Sequence, residues 1–178
     1  IGCRIAAHLM ITLALARDLL RHMQWADAEV WRALDATPGA TSDEALMKIV
    51  RHLHVVQRSF YLMWTGGEFD TAEIYAERDP DTLRLWARTC YPDAEAFIAR
   101  SDSAGLNEIV IMPWLQHFAE QLGRPLQAPT LADTLVQLPA HSTYHRGQVN
   151  ARLRELGGEP PLVDYIAWVW FGRPEPNW

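Results

Sequence analysis

The most informative stretch of this sequence is Ala-His-Ser-Thr-Tyr-His-Arg-Gly-Gln-Val, from Ala140 to Val149. On a helix, His141 and His145 lie one turn apart on the same face, with β-carbons roughly 5–6 Å apart. Both imidazoles can therefore reach one point beside the helix and bind one metal ion. Catalytic zinc sites commonly use three protein ligands and leave a position for water, so a third ligand must come from elsewhere in the chain.

The best source of a third ligand is the run from Glu44 to Trp64, which holds His52 and His54. Apolar residues recur in this run at spacings of three and four, which is typical of a helix with one buried face. The members of this stripe are Leu46, Ile49, Leu53, Val56, Phe60 and Met63. His52 borders the stripe, whereas His54 lies about 200° away around the helix. We therefore predict that His52 is an inward-facing ligand and that His54 faces solvent or a partner.

Three stretches of the chain together resemble a known family. They are His52–Phe60, His141–Gln148 with its His-Arg-Gly-Gln element, and Leu156–Tyr165. In this order they are similar to the DinB/YfiT-like superfamily of metal-binding four-helix bundles, and the resemblance covers about residues 13–170. It implies an all-α fold, a DinB-like four-helix bundle with long connections and a short C-terminal helix.

The resemblance also implies a function based on a divalent metal ion bound by His52, His141 and His145. Three neutral imidazoles suit zinc, nickel, copper or iron(II), and we expect zinc or nickel. Similar proteins include metal-dependent thiol transferases, a maleylpyruvate isomerase and hydrolases. We therefore expect a metal-dependent, thiol-dependent transferase or hydrolase that acts on a small thiol or another small molecule. Its catalytic residues beyond the ligands are not identified. The alternative is a non-catalytic protein in which the metal has a binding or structural role.

Composition limits the remaining classes of protein. A chain of 178 residues that is 49% hydrophobic can bury one sizeable core, so we expect a single domain over residues 1–178 with an irregular tail at 172–178. The net charge of −6 and the lack of a Lys/Arg-rich run argue against nucleic-acid binding. With two cysteines and no disulfide framework, the chain is expected to be cytoplasmic. Its many large aromatic residues and the habit of similar proteins suggest a homodimer.

The N-terminal residues allow more than one interpretation. Arg4 precedes an apolar run that could belong to a signal peptide, but the amphipathic pattern continues past it and favours the start of a first helix. Arg17 and Asp18 come too soon for a membrane span, which needs about 20 apolar residues, so no membrane association is expected. Residues 1–9, ahead of Met10, could also be an extension, and the sequence leaves this open.

Periodicity and helix-end signals predict the order of the helices. We expect helices over about 11–34, 44–65, 79–98, 114–122, 129–156 and 164–171. Pro92 should kink or split the third of these, and Pro139 should kink the helix that carries the two histidines. Residues 107–112 are short and β-branched, which is typical of a strand, although Pro113 argues against a full hairpin.

The sequence also makes predictions for the residues that follow His145. Arg146 and Gln148 should point away from the two histidines. Arg146 then either pairs with a carboxylate of the bundle or of a partner subunit, or is a surface charge. Gly147 costs a helix about 1 kcal/mol relative to alanine, which suggests that another element approaches closely at that turn.

Other polar residues also have assigned roles. Gln57 and Tyr144 are expected to line a pocket near the metal. His22 and His117 are expected to be structural rather than ligands, because a lone histidine beside apolar residues is usually packed or capping.

Overall fold

The computed structural model describes residues 11–178, so the interpretations placed on residues 1–9 lie outside the described residues. Within this range the chain is all-α, and its one β-type pairing is an isolated bridge. The α-helices are α1 Leu13–Ala36, α2 Glu44–Thr65, α3 Thr71–Ile74, α4 Pro80–Arg88, α5 Cys90–Arg100, α6 Leu115–Leu122, α7 Leu131–Glu155 and α8 Tyr165–Trp170. Short 3₁₀ turns lie at Ala40–Ser42 and Gly105–Asn107.

Four helical members form a bundle. The closest pair is α2 with α7, α1 packs on α7, and α5 packs on both α1 and α2. The third member is split into α4 and α5 at Thr89, as Pro92 predicted. Pro92 is the third residue of α5, where its missing N–H costs no intrahelical hydrogen bond. The predicted all-α fold, a bundle of four helical members, is therefore confirmed.

Side-chain caps explain where the two site-bearing helices begin. The Asp43 side chain accepts the Leu46 N–H and starts α2. Thr130 and Asp133 form a reciprocal capping box at the start of α7. Each cap satisfies a backbone donor that has no partner inside the helix, so these local signals in the sequence set the helix ends. At its other end α2 stops at Gly66, whose φ of 67° suits glycine.

One expectation about secondary structure is wrong. The strand-like residues 107–112 form no strand within the described chain; Ile109 makes only the isolated bridge to Thr130.

The buried face of α1 includes two tryptophans. Trp25 and Trp31 are buried together with Met23, Ala26, Val30 and Leu34, whereas Leu15 is 46% exposed. The large apolar surfaces of the tryptophans gain most from burial.

The C-terminal segment closes one side of the bundle. Trp168 of α8 is buried against Trp25 and Ala26 of α1. The residues after Gly172 have no regular secondary structure, yet Trp178 packs beside Tyr91, with ring centroids 5.6 Å apart. Over residues 11–178, none of the helices has the length and apolar character that a membrane crossing requires.

The expected close approach at Gly147 is also wrong. A β-carbon added at Gly147 would meet no heavy atom within 4 Å. Gly158 is the opposite case, because a β-carbon there would collide with the Thr37 side chain at the end of α1. The tight glycine contact therefore lies just beyond α7 and not at the turn that carries the histidines.

We predict that Gly147→Ala raises the free energy of unfolding by roughly 0.5–1 kcal/mol, because alanine favours the helix and the added methyl group has room. Gly158→Ala is the matched variant and should lower it, since Thr37 is buried and has little space to move. Urea unfolding of both variants measures the two changes. A destabilised Gly147→Ala protein would show that this turn is packed more tightly than described.

Candidate metal centre

Three histidines from two helices come together at one side of the bundle. His52 lies on α2, and His141 and His145 lie on α7; we call them the histidine cluster. The ring centroids are 4.4 Å apart for His141 and His145, 4.6 Å for His52 and His145, and 5.4 Å for His52 and His141. One candidate ligand atom from each ring lies within 4.8 Å of the other two.

These distances fit a single divalent metal ion bound by all three histidines. In a tetrahedral zinc site with Zn–N bonds of about 2.0–2.1 Å, the ligand nitrogens are roughly 3.3 Å apart. The Nε2 atoms of His141 and His145 are 3.1 Å apart. One ligand nitrogen of His52 lies within 4.8 Å of a ligand nitrogen of each of the other two histidines. The donor set is three imidazole nitrogens, which suits a divalent transition metal.

Gln148 fixes the orientation of the His145 ring. Its Oε1 lies 2.7 Å from Nδ1 of His145. A carbonyl oxygen can only accept a hydrogen bond, so Nδ1 carries the proton and the Nε2 lone pair faces the cluster. The prediction that Gln148 points away from the cluster is wrong, because residues three apart on a helix are neighbours. Such a partner holds a metal-binding histidine in the required tautomer.

The burial predicted for the two histidines of α2 is reversed. His54 is buried, accepts a hydrogen bond from Trp31 Nε1 at 3.0 Å, and lies 2.9 Å from Gln57 Oε1 through its Nδ1. His52 is exposed. His52 still joins the cluster, because the cluster lies at the edge of the bundle and not in its core. The apolar stripe of α2 therefore led to the wrong prediction for His54, which faces the core.

A second set of polar side chains is buried between the helices. The carboxylate of Asp27 accepts hydrogen bonds from Arg146 Nη1 at 2.8 Å, from Gln57 Nε2 at 2.6 Å and from the Tyr91 hydroxyl at 2.6 Å. Gln57 Nε2 also donates to Ser142 Oγ at 3.2 Å. These five residues form what we call the buried network. It joins α1, α2, α5 and α7.

The buried network decides the predictions made for Arg146 and Gln57. Arg146 pairs with a carboxylate of the bundle, which was one of the predicted alternatives, and it is not a surface charge. Gln57 does not line the pocket as expected, because its amide is used by Asp27, His54 and Ser142.

A cavity of about 680 Å³ adjoins the cluster between α2, α6 and α7. It is lined by His52, Val55, Val56, Ser59, Phe60, Tyr75, Met112, Trp114, His117, Phe118, Pro129, Asp133, Thr134, Gln137 and His141. His117 is an exposed residue of this wall and lies outside the histidine cluster, in agreement with the prediction that it is not a ligand. Tyr144 is 65% exposed and packs edge-on against His145, outside the wall. His22 is packed, as predicted, with its Nε2 2.8 Å from the Val163 carbonyl.

Desolvation and the neighbouring imidazoles favour the neutral forms of His52 and His141. Burial lowers the pKa of His52, and a charge on His145 would lower it further. Burial, followed by the neighbouring imidazoles of His145 and His52, lowers the pKa of His141 to about 4. A histidine must be neutral to bind a metal, so both rings are in the required state at neutral pH. Cys90 lies apart from the cluster, and burial raises the pKa of its thiol to about 12.

Comparison with known proteins agrees with the resemblance based on the sequence. The model of the DinB family matches residues 114–175. This segment runs from the start of α6 to beyond α8 and includes His141 and His145. The match over this third of the chain is consistent with the predicted resemblance to the DinB-like superfamily. No curated protein and no solved structure matches the chain significantly.

We predict that Asp27→Asn lowers the free energy of unfolding by about 3–5 kcal/mol, because it leaves the buried Arg146 guanidinium without its counter-ion. Asp35→Asn is the matched control on α1. Asp35 pairs with Arg84 near the surface, and its loss should cost less than about 1 kcal/mol. Urea unfolding measures both values. Equal and small effects would show that the buried pair does not hold the bundle together.

The lowered pKa of His141 predicts a pH dependence of stability in the metal-free protein. Between about pH 4 and 6.5 the unfolded chain protonates this histidine and the folded chain does not. The free energy of unfolding should therefore fall as the pH drops through that window. His141→Asn should show a shallower fall than the wild type when urea unfolding is followed from about pH 7 to about pH 5. Parallel pH profiles would contradict the assignment.

Proposed function

We propose that this protein is a metal-dependent enzyme in which His52, His141 and His145 bind one divalent ion, zinc or nickel. The observation that carries the proposal is the position of the cluster. It has three imidazoles, and two of them, His52 and His141, also form part of the wall of the cavity. Catalytic metal sites commonly have three protein ligands and one open position, whereas structural sites are closed by four.

The protein's own residues have three roles in this proposal. Gln148 holds the proton on His145 Nδ1 and so directs Nε2 toward the ion. The apolar wall of the cavity excludes water around a substrate and so strengthens electrostatic interactions with it. His52 and His141 connect the histidine cluster with the cavity, because they belong to the cluster and also line the cavity wall. A divalent ion held there would supply Lewis-acid chemistry, which activates water or a thiol near neutral pH.

The reaction that we propose is thiol-dependent group transfer or hydrolysis of a small molecule. In the transferase case we propose that the thiol comes from a substrate. Within residues 11–178 the one cysteine is Cys90, which is buried in the core, and burial disfavours its thiolate. A soft metal such as zinc or nickel suits a substrate thiol, while water activation suits the hydrolase equally well.

The proposal predicts one equivalent of bound metal per chain, measured by elemental analysis and by titration calorimetry with zinc. His52→Ala, His141→Ala and His145→Ala should each abolish binding at this stoichiometry. His117→Ala is the matched control, because His117 lines the same cavity outside the cluster. His54→Ala should lower stability and keep the metal, since His54 is buried among Trp31 and Gln57.

A further variant tests the hydrogen bond that orients His145, as distinct from the metal ligands themselves. Gln148→Ala should keep one equivalent of metal but weaken binding by about 10–100-fold, which is typical for loss of a hydrogen bond to a metal-binding histidine. Metal should also raise the melting temperature of the wild type by mass action. Loss of stoichiometric metal in His117→Ala or His54→Ala, with retention in His52→Ala, would overturn the ligand set. A bound metal without an exchangeable fourth position would favour the non-catalytic alternative.

A further inference from the structure

We infer that the cavity selects substrates with an uncharged, apolar body of about the size of an aromatic ring system, attached to one group that reaches the histidine cluster. This inference rests on the proposed function and adds the substrate class. It depends on three features of the cavity wall: its apolar area, the charges it lacks, and the hydrogen bonds that its polar groups have already made.

The wall opposite the cluster is mostly aromatic and aliphatic. Phe60 from α2, Trp114 and Phe118 around the start of α6, and Met112 before it all contribute to it. Phe60 and Trp114 are packed at an angle, with ring centroids 6.3 Å apart. Flat apolar groups bind well against such rings, because they gain both burial and edge-to-face contacts. A volume of about 680 Å³ is within the usual range for small-molecule sites.

Within the described residues, the wall has no lysine or arginine that would form an ion pair with an anionic substrate. Its one carboxylate, Asp133, accepts hydrogen bonds from the Thr130 amide at 2.8 Å and from the Thr130 hydroxyl at 2.7 Å in the cap of α7. A carboxylate or phosphate on the substrate body would therefore lose hydration without gaining an ion pair with lysine or arginine, which is costly.

Two hydroxyl groups of the wall are also engaged. Ser59 donates to the Val55 carbonyl at 2.8 Å. Thr134 donates to the Leu131 carbonyl at 2.8 Å and accepts from Trp64 Nε1 at 2.9 Å. These bonds lie within the bundle, so the hydroxyls offer little to a polyhydroxylated ligand. The other polar side chains of the wall outside the histidine cluster are Tyr75, His117 and Gln137.

The test uses zinc-loaded full-length protein and the neutral fluorescent probe N-phenyl-1-naphthylamine. Two competitors displace the probe: 4-methylbenzenethiol and 4-mercaptobenzoate, which share the ring and the thiol and differ in one carboxylate. We expect the methyl compound to compete at a concentration at least about tenfold lower, because the carboxylate would lose hydration without an ion pair in the wall, whereas the methyl group gains burial.

Two matched variants on α6 test whether the probe binds in the cavity. Phe118→Ala should weaken probe binding about tenfold through lost apolar contact, whereas Leu122→Ala should leave it unchanged. Both residues are partly exposed, at 46% and 57%, so both variants are expected to fold, and only Phe118 lines the cavity. The metal-free His145→Ala protein should still bind the probe.

The possible outcomes separate this inference from the proposed function. Equal competition by the two thiols, or no effect of Phe118→Ala, would overturn the substrate class even if zinc binds with one equivalent. Probe binding that follows the predicted pattern in a protein that binds no zinc would support the cavity and refute the metal-dependent function. If Phe118→Ala changed the sedimentation coefficient and left probe binding intact, this wall would be an interface between copies of the chain, and the inference would be wrong.

Discussion

The buried ion pair between Asp27 and Arg146 is the constraint on which the arrangement of the site depends. Both side chains are almost fully buried, so the pair has lost the hydration of two charges. Hydrogen bonds to Asp27 from Tyr91 and Gln57 help to offset this cost. Arg146 immediately follows His145 on α7. Holding the guanidinium in the core therefore fixes the rotation of α7, and this rotation turns the histidine cluster toward the edge of the bundle, beside the cavity.

Much of the fold is readable from local sequence. Caps at Asp43 and Thr130 lie where short polar side chains precede amphipathic runs, and the structure begins α2 and α7 there. The pairing of His141 and His145 follows from helix geometry alone. The resemblance then supplied a reason to expect His52 from another helix. These features depend on residues that are close in sequence or on an overall pattern, so a single sequence is enough to predict them.

The features that could not be predicted depend on contacts between distant residues. His54 looks polar and exposed in sequence, yet Trp31 and Gln57 give it buried partners. Gly147 suggested close packing, but the neighbouring helices leave that side open. The apolar cavity is formed by α2, α6 and α7 together, and no single stretch contains its pattern. Hydrophobic periodicity shows that a helix has a buried side but does not show which polar residues are satisfied inside it.

X-ray absorption spectroscopy of the zinc-loaded protein is the most direct test of the central claim that three histidines hold an ion with one open position toward the cavity. The account predicts three imidazole nitrogens and one exchangeable light atom at about 2.0–2.1 Å. Adding 4-methylbenzenethiol should replace the light atom by sulfur at about 2.3 Å. Fewer than three imidazoles, or a fourth protein ligand that the thiol cannot displace, would contradict the account.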